Sequence, residues 1–259
     1  MSSHSRRTAL LLVAALAALL FSPVVTALGA SKNLVHLDAK SFRKTIHASD
    51  KLSLVAFTAP WCGYCRALSP DLDKVADSLK GLVNVVNVDC DADVNKPLCA
   101  QEGIQGFPTL KLFPGGSAPS RSYDGPRTAK DIIEGATGAM PTFVKRAGTA
   151  AEVEALRKQA AKKPISLLFT SAGKVTPLYK ALSTDFHRGI DFYAARDAKV
   201  GMEAMAAFGV DKTPALLVLD GEKVNKYDGP LKYDKLHAFL KPFAAKKKDV
   251  NTKGAHEEL

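Results

Sequence analysis

Leu52-Ser53-Leu54-Val55-Ala56-Phe57-Thr58-Ala59-Pro60-Trp61-Cys62-Gly63-Tyr64-Cys65 runs from an unbroken apolar segment straight into two cysteines three residues apart. The apolar part, Leu52–Phe57, reads as a central strand buried on both faces. The residues from about Cys62 to Leu79 read as the helix that follows it. Two cysteines at i and i+3 on a helix's opening turn lie close enough for a disulfide. The first also sits among unpaired backbone N–H groups at the positive end of the helix dipole. That setting stabilises a thiolate, lowers the pKa of Cys62 and makes it the nucleophile. Cys65, one turn in, is shielded and acts second, attacking a mixed disulfide formed on Cys62. Zinc would need a second Cys/His pair at ligand spacing. The other cysteines, Cys90 and Cys99, are nine residues apart, and His36, His47, His187 and His237 are scattered singly. The sequence therefore calls for redox chemistry, with no metal and no cofactor.

Working outward, the chain repeats itself. Gly103-Ile104-Gln105-Gly106-Phe107-Pro108-Thr109 returns as Gly209-Val210-Asp211-Lys212-Thr213-Pro214-Ala215. Tyr123-Asp124-Gly125-Pro126 returns as Tyr227-Asp228-Gly229-Pro230, and Leu52–Thr58 matches Pro164–Thr170. The second copies lie 104 to 112 residues downstream and in the same order, which indicates two related domains of about 100 residues each, within the usual size range.

In the first unit, strands are expected at Leu34–Leu37, Leu52–Phe57, Val83–Val88, Thr109–Phe113 and Arg121–Tyr123. Helices are expected at Ala39–Ala48, Cys62–Leu79, Asp93–Glu102 and Thr128–Gly135. In the second, Thr142–Lys145, Ile165–Phe169, Ile190–Tyr193 and Ala215–Leu219 read as strands. Ala150–Ala160, Thr176–Phe186, Lys199–Phe208 and Tyr233–Phe243 read as helices. Strands that alternate with helices and end in a hairpin before a last helix make a mixed α/β sheet. Thr137–Pro141 reads as the linker. The boundaries are then a leader at 1–27, a cysteine-bearing domain at 28–138, a domain lacking the motif at 139–245, and a Lys-rich tail at 246–259.

Composition permits this plan. With 46% hydrophobic and 24% charged residues the 259-residue chain can bury two cores, and four cysteines are too few for a disulfide-stapled scaffold. At the start, Arg6 and Arg7 precede an apolar run from Ala9 to Phe21, followed by Val25-Thr26-Ala27. This is the layout of a secretory signal, with cleavage after Ala27 or, as second choice, Gly29. The run is well short of the roughly 20 residues that span a bilayer, so no membrane insertion is expected. His256-Glu257-Glu258-Leu259 ends the chain with a tetrapeptide similar to a lumenal retention signal. Together the two ends point to the endoplasmic reticulum lumen, which permits disulfides. The net charge of +10 owes much to lysines between Lys241 and Lys253. No basic-aromatic module accompanies it, so nucleic acid is not an expected partner.

Ala59-Pro60-Trp61-Cys62-Gly63-Tyr64-Cys65-Arg66, followed by Gly106-Phe107-Pro108-Thr109, resembles the active domain of a protein disulfide isomerase of the thioredoxin superfamily. The fold implied is two tandem thioredoxin-like α/β domains, the second without the redox motif. The chain is most similar to short fungal lumenal isomerases with one active domain. The resemblance implies Cys62 and Cys65 as the catalytic pair, with Gly63 and Tyr64 tuning it. It puts a cis-proline at Pro108 beside the disulfide, and at Arg127 a mobile arginine that approaches Cys65 and lowers its pKa. The activity implied is forming, reducing and rearranging disulfides in unfolded or misfolded secretory proteins. A lumenal thiol oxidase or glutathione would be the redox partner, and a retention-signal receptor would bind the C-terminus.

Two departures carry consequences. Tyr64 stands where the family usually has His, and a neutral phenol cannot hold the Cys62 thiolate as an imidazolium does, which implies a weaker oxidant. Ala56 stands where the family has a buried acid, and Asn87 where its Lys companion falls, so Cys65 is expected to deprotonate slowly. Cys90 and Cys99 read as a structural disulfide rather than a second redox pair, since nothing near them resembles an activated-thiol setting. Ser171-Ala172-Gly173-Lys174 is where the repeat places the missing Cys-x-x-Cys, and Thr213-Pro214 is a second candidate cis bond. The second domain is then a weak peptide-binding surface or a spacer. The competing class for the whole chain is a lumenal chaperone or escort whose thiols matter little.

Overall fold

The computed structural model describes residues 31–116 and 118–245. The signal-like segment, the Lys-rich tail and the terminal His256-Glu257-Glu258-Leu259 lie outside the described residues. The first domain comprises β1 (Val35–His36), α1 (Ala39–Phe42), β2 (Ser53–Thr58), α2 (Gly63–Ser78), β3 (Asn84–Asp89), α3 (Lys96–Gln101), β4 (Thr109–Phe113), β5 (Arg121–Ser122) and α4 (Ala129–Ala139). The second comprises β6 (Val144–Ala147), α5 (Ala150–Ala160), β7 (Ile165–Thr170), α6 (Pro177–Phe186), β8 (Asp191–Arg196), α7 (Asp197–Ala206), β9 (Ala215–Asp220), β10 (Lys223–Tyr227) and α8 (Tyr233–Ala245).

The two sheets have one topology. In the first the order is β1-β3-β2-β4-β5, with β1 and β2 parallel to β3 and the last two pairings antiparallel. In the second it is β6-β8-β7-β9-β10 with the same directions. Strand β2 is apolar from Leu54 to Phe57 because both its faces are covered. Leu54 and Ala56 pack with Leu68 and Val75 of α2 and Ile132 of α4, while Val55 and Phe57 pack with Phe42 and Ile46 on the other face. In β7 the same division sends Leu167 and Phe169 to Val153 and Met205, and Leu168 to Leu182 and Leu240. Burying each such side chain contributes roughly 1.5–3 kcal/mol.

The repeated tetrapeptides fold alike. Tyr123 Oη donates to the Pro126 carbonyl and Tyr227 Oη to the Pro230 carbonyl, both at 2.9 Å. A Cβ on Gly125 or Gly229 would lie 2.7 or 2.5 Å from its tyrosine Oη, which is why glycine recurs in both copies.

Several boundaries differ from expectation. The helix expected over Ala39–Ala48 is α1 followed by a π-helical turn at Arg43–His47. The linker expected at Thr137–Pro141 begins inside α4, which runs to Ala139; there the Thr137 hydroxyl is absorbed by the carbonyls of Ile133 and Glu134 in the preceding turn. Strand β10 has no apolar run to announce it and forms by pairing residue for residue with β9. Helix α7 starts at Asp197 rather than Lys199, and Gly201 (φ 80°) interrupts its backbone.

The domains are packed together. Ala181 of α6 is fully buried in the first domain's core with Met140. Lys51 Nζ bonds to the Gly81 carbonyl (2.7 Å), to Tyr233 Oη (3.1 Å) and to Asp185 (3.1 Å). Tyr233 Oη donates to Asp185 at 2.6 Å, and Arg188 pairs with Asp50 at 2.8 Å. No described helix is long and apolar enough to cross a membrane.

Candidate active site

Helix α2 begins at Gly63, so Cys62 is its N-cap and lies just outside the first turn where it was expected. In that position the sulfur takes the role of a capping side chain. The Cys65 N–H donates to Cys62 Sγ at 3.3 Å, satisfying one of the helix's orphan amides. Cys62 Sγ lies 3.6 Å from the Phe107 carbonyl. The peptide bonds Phe107–Pro108 and Thr213–Pro214 are both cis. Cys62 and Cys65 are free thiols packed with Ala59 and Phe107.

The two sulfurs are electrostatically opposed. The Cys65 thiol, then the amides of Cys65 and Tyr64 and the charge of Arg66, hold Cys62 below the ordinary thiol range. Burial pushes Cys65 up to about 11, and its hydrogen bond to Cys62 adds to the rise. Arg127 opposes that rise through its charge while remaining exposed. Two cysteines differing this way divide the labour, one ionised first and the other only once its neighbour's charge is consumed.

The rim is aromatic. Trp61 is 65% exposed and Tyr64 79%, although large aromatics are ordinarily covered. Trp61 is held by its Nε1–H to Asp91 (3.0 Å) and by an edge contact to Phe107, ring centroids 5.8 Å apart. Arg66 donates to the Pro60 carbonyl at 3.0 Å, stiffening the loop before α2. Sequence reasoning did not assign roles to Phe107, Asp91 or the Arg66 charge. The Gly106-Phe107-Pro108 repeat pointed at the first, and nothing local pointed at the second.

Behind Cys65 lies a cleft of about 320 Å³ lined by His36, Thr58, Asn87 and Asp89 among others. Ala56 and Asn87 are register partners on β2 and β3, so the positions expected to hold an acid and its Lys companion fall side by side. Thr58 Oγ1 donates to Asn87 Oδ1 at 2.9 Å, a neutral pair where a charged one was missing. Cys90 and Cys99 form a disulfide, S–S 1.98 Å, within the core that holds Phe42 and Phe57.

In the second domain the helix after β7 has Thr176 as its N-cap, and Tyr179 N–H donates to Thr176 Oγ1. Thr176 and Tyr179 therefore hold the positions of Cys62 and Cys65. Ser171–Lys174, where the repeat was expected to place the motif, lies instead in the preceding loop, and Thr176 and Tyr179 stand five residues further on.

Residues 33–137 match the family described as Thioredoxin. A Saccharomyces cerevisiae relative, protein disulfide-isomerase MPD1, is 32% identical over 200 residues, covering 71% of this chain and 63% of its own. A Dictyostelium discoideum chain provisionally named a protein disulfide-isomerase is 36% identical over 225 residues, 83% of this chain and 54% of that one. Residues 33–137 are thus a thioredoxin-family domain, and the chain is similar to protein disulfide isomerases over most of its length. It spans between about half and two thirds of the length of these relatives. A crystal structure of ERdj5, form II, shares the fold at TM-score 0.52 and 18% identity, over 82% of this chain and 30% of that one. Ala56, Tyr64 and Asn87 leave these positions around the cysteines without an acid, an imidazole or a lysine.

Proposed function

We propose that the protein is a thiol–disulfide oxidoreductase that forms, reduces and rearranges disulfides in polypeptides. The observation that carries this reading is the position of Cys62, capping α2 with its sulfur and flanked by two exposed aromatics. The Cys62 thiolate attacks one sulfur of a client disulfide; an S–S bond to Cys62 forms and one client thiolate leaves. Cys65 then loses its proton and attacks Cys62 Sγ. The mixed disulfide breaks, the second client thiolate leaves, and Cys62–Cys65 remains as a disulfide. Run backwards, the same steps oxidise a client dithiol. If a client thiol attacks the mixed disulfide before Cys65 does, the client is rearranged and the protein leaves reduced.

The residues around the sulfurs have roles in this scheme. Gly63 and Tyr64 set the local field at Cys62, and Arg127 lowers the cost of ionising Cys65. Trp61 and Tyr64 offer an apolar rim to exposed client segments. Pro108, with the Phe107 carbonyl beside Cys62, borders the edge along which an extended client chain would run.

The domain boundaries 28–138 and 139–245, with the second domain as a peptide-holding or spacing element, complete the reading. Location in the lumen of the endoplasmic reticulum is supported by the signal-like start and by His256-Glu257-Glu258-Leu259. A lumenal oxidase or glutathione would then supply or remove electrons, and a retention receptor would bind the C-terminus.

Refolding of scrambled ribonuclease separates this from a thiol-independent chaperone. The wild type should recover activity and Cys62→Ser should not; equal recovery by both would favour the chaperone. Microscopy of an internally tagged chain tests the location, and a mitochondrial signal would overturn it.

A further inference from the structure

The cleft behind Cys65 has a counterpart in the second domain, and the two differ in charge. In the first sheet His36 and Ala56 both pair with Asn87, and Thr58 pairs with Asp89. In the second, Arg146 and Leu168 both pair with Ala194, and Thr170 pairs with Arg196. Arg146 thus stands where His36 stands, and Arg196 where Asp89 stands. Around them opens a cavity of about 370 Å³, also lined by Lys174 and Lys199 and by no acidic residue. This size is at the small end of ligand sites, which run from about 300 to 1,000 Å³.

Four cations converging on one cavity repel each other. Among the described residues none of the four forms an ion pair with an acid. The acid next in sequence, Asp197, is committed to the Thr213 hydroxyl (2.9 Å) and the Ala198 amide. Arg146 is steadied by a bond from its guanidinium to the Gly173 carbonyl at 3.3 Å. Helix α6 opens at the cavity with Thr176 in its lining, adding the positive end of its dipole. The floor is apolar, with Leu168 and Ala194 almost fully covered. Fixed positive charge over an apolar floor suits a ligand with carboxylates on a short apolar stem.

We infer that this cavity is a carboxylate-binding site for acidic peptide, where Arg146 and Arg196 grip paired carboxylates and Leu168 takes the stem. The chemistry can come from an acidic segment of a polypeptide or from a free tripeptide such as glutathione. The site is separate from Cys62, and its occupancy does not depend on thiol exchange.

The test is fluorescence anisotropy of the full chain with a Glu-containing hexapeptide bearing an uncharged dye, beside its Gln-substituted twin. The Glu peptide should bind, with weakening at high salt. The Gln peptide and the variant Arg146→Ala/Arg196→Ala should each lose at least about tenfold in affinity, as expected for two charge-assisted hydrogen bonds. Arg146→Lys/Arg196→Lys should recover part of the binding, and alkylation of Cys62 should proceed at the wild-type rate in every variant. Displacement of the probe by stoichiometric glutathione would assign the free tripeptide as ligand, and displacement only by unlabelled acidic peptide would assign a chain segment. Equal binding of Glu and Gln peptides, wild-type affinity in the alanine variant, or no binding of either peptide or glutathione would overturn the proposal.

Discussion

One atom, Cys62 Sγ, receives the Cys65 amide and lies beside the Tyr64 amide and the Arg66 charge. Its thiolate is favoured and that of Cys65 is not, which sets a pH dependence. Only the thiolate is alkylated, so a group held below the ordinary thiol range reacts at a pH where free cysteine is still protonated. Iodoacetamide should therefore modify Cys62 with a midpoint below that of free cysteine, while Cys65 in the same chain, held up by burial, reacts only at higher pH. A common midpoint for both sulfurs would contradict this assignment. The site could be named from Trp61-Cys62-Gly63-Tyr64-Cys65 because backbone amides act through adjacency. The Phe107 carbonyl could not, since it lies 45 residues away in the chain. Ala56, fully buried opposite Asn87, gives a second prediction. Ala56→Glu should speed release of mixed disulfides by giving the Cys65 proton an acceptor. It should also cost about 1–3 kcal/mol of stability for a buried polar group without a matched partner. Stopped-flow release and urea unfolding would read the two effects, and an unchanged release rate would show that proton loss from Cys65 is not limiting.

Among the elements, α2 and β2 together hold the cysteines, and the Cys90–Cys99 disulfide ties the end of β3 to α3. Its loop closes only nine residues of separation inside an apolar core. Cys90→Ser/Cys99→Ser should lower stability by about 2–3 kcal/mol through loop entropy, measured by urea unfolding, with ribonuclease refolding per folded molecule unchanged. Loss of that activity in a folded variant would instead make the pair part of the redox chain. The central strands were legible because burial on both faces makes their residues mostly apolar, the small Ser53 and Ser166 excepted. Strand β10 was not, since Lys223-Val224-Asn225-Lys226-Tyr227 has no fully buried residue and takes its shape from β9. The end of α4 was hidden for another reason. Thr137, Gly138 and Ala139 fall in the stretch read as a linker, yet α4 runs through them with Met140 as its C-cap.

Across the whole molecule the joint between domains includes a largely covered ionic cluster. Lys51 and Asp185 keep only 15% and 16% of their side-chain surface, so water screens their attraction weakly. Tyr233 completes the cluster over Gly81, whose φ of 77° and contact with the Tyr233 ring leave no room for a side chain. Asp185→Ala strips Lys51 and Tyr233 of their shared acceptor, and should cost about 1–3 kcal/mol. It should appear as a lowered melting temperature and faster amide exchange along α6 and α8. Unchanged exchange there would show that apolar packing around Ala181 and Met140 carries the joint. Arg188–Asp50, with Arg188 largely exposed, should contribute little by comparison.

Periodicity, internal repetition and the spacing of two cysteines are local properties, and from them the sequence by itself determined the two-domain α/β plan and singled out the cysteine pair proposed as nucleophile and resolving partner. Charges that meet only when strands align are not local. The pairing of Ala56 with Asn87, the cluster of Lys51, Asp185 and Tyr233, and the ring of cations from Arg146 to Lys199 were decided by the tertiary structure. Sheet register and domain packing bring these residues together across tens of positions of chain.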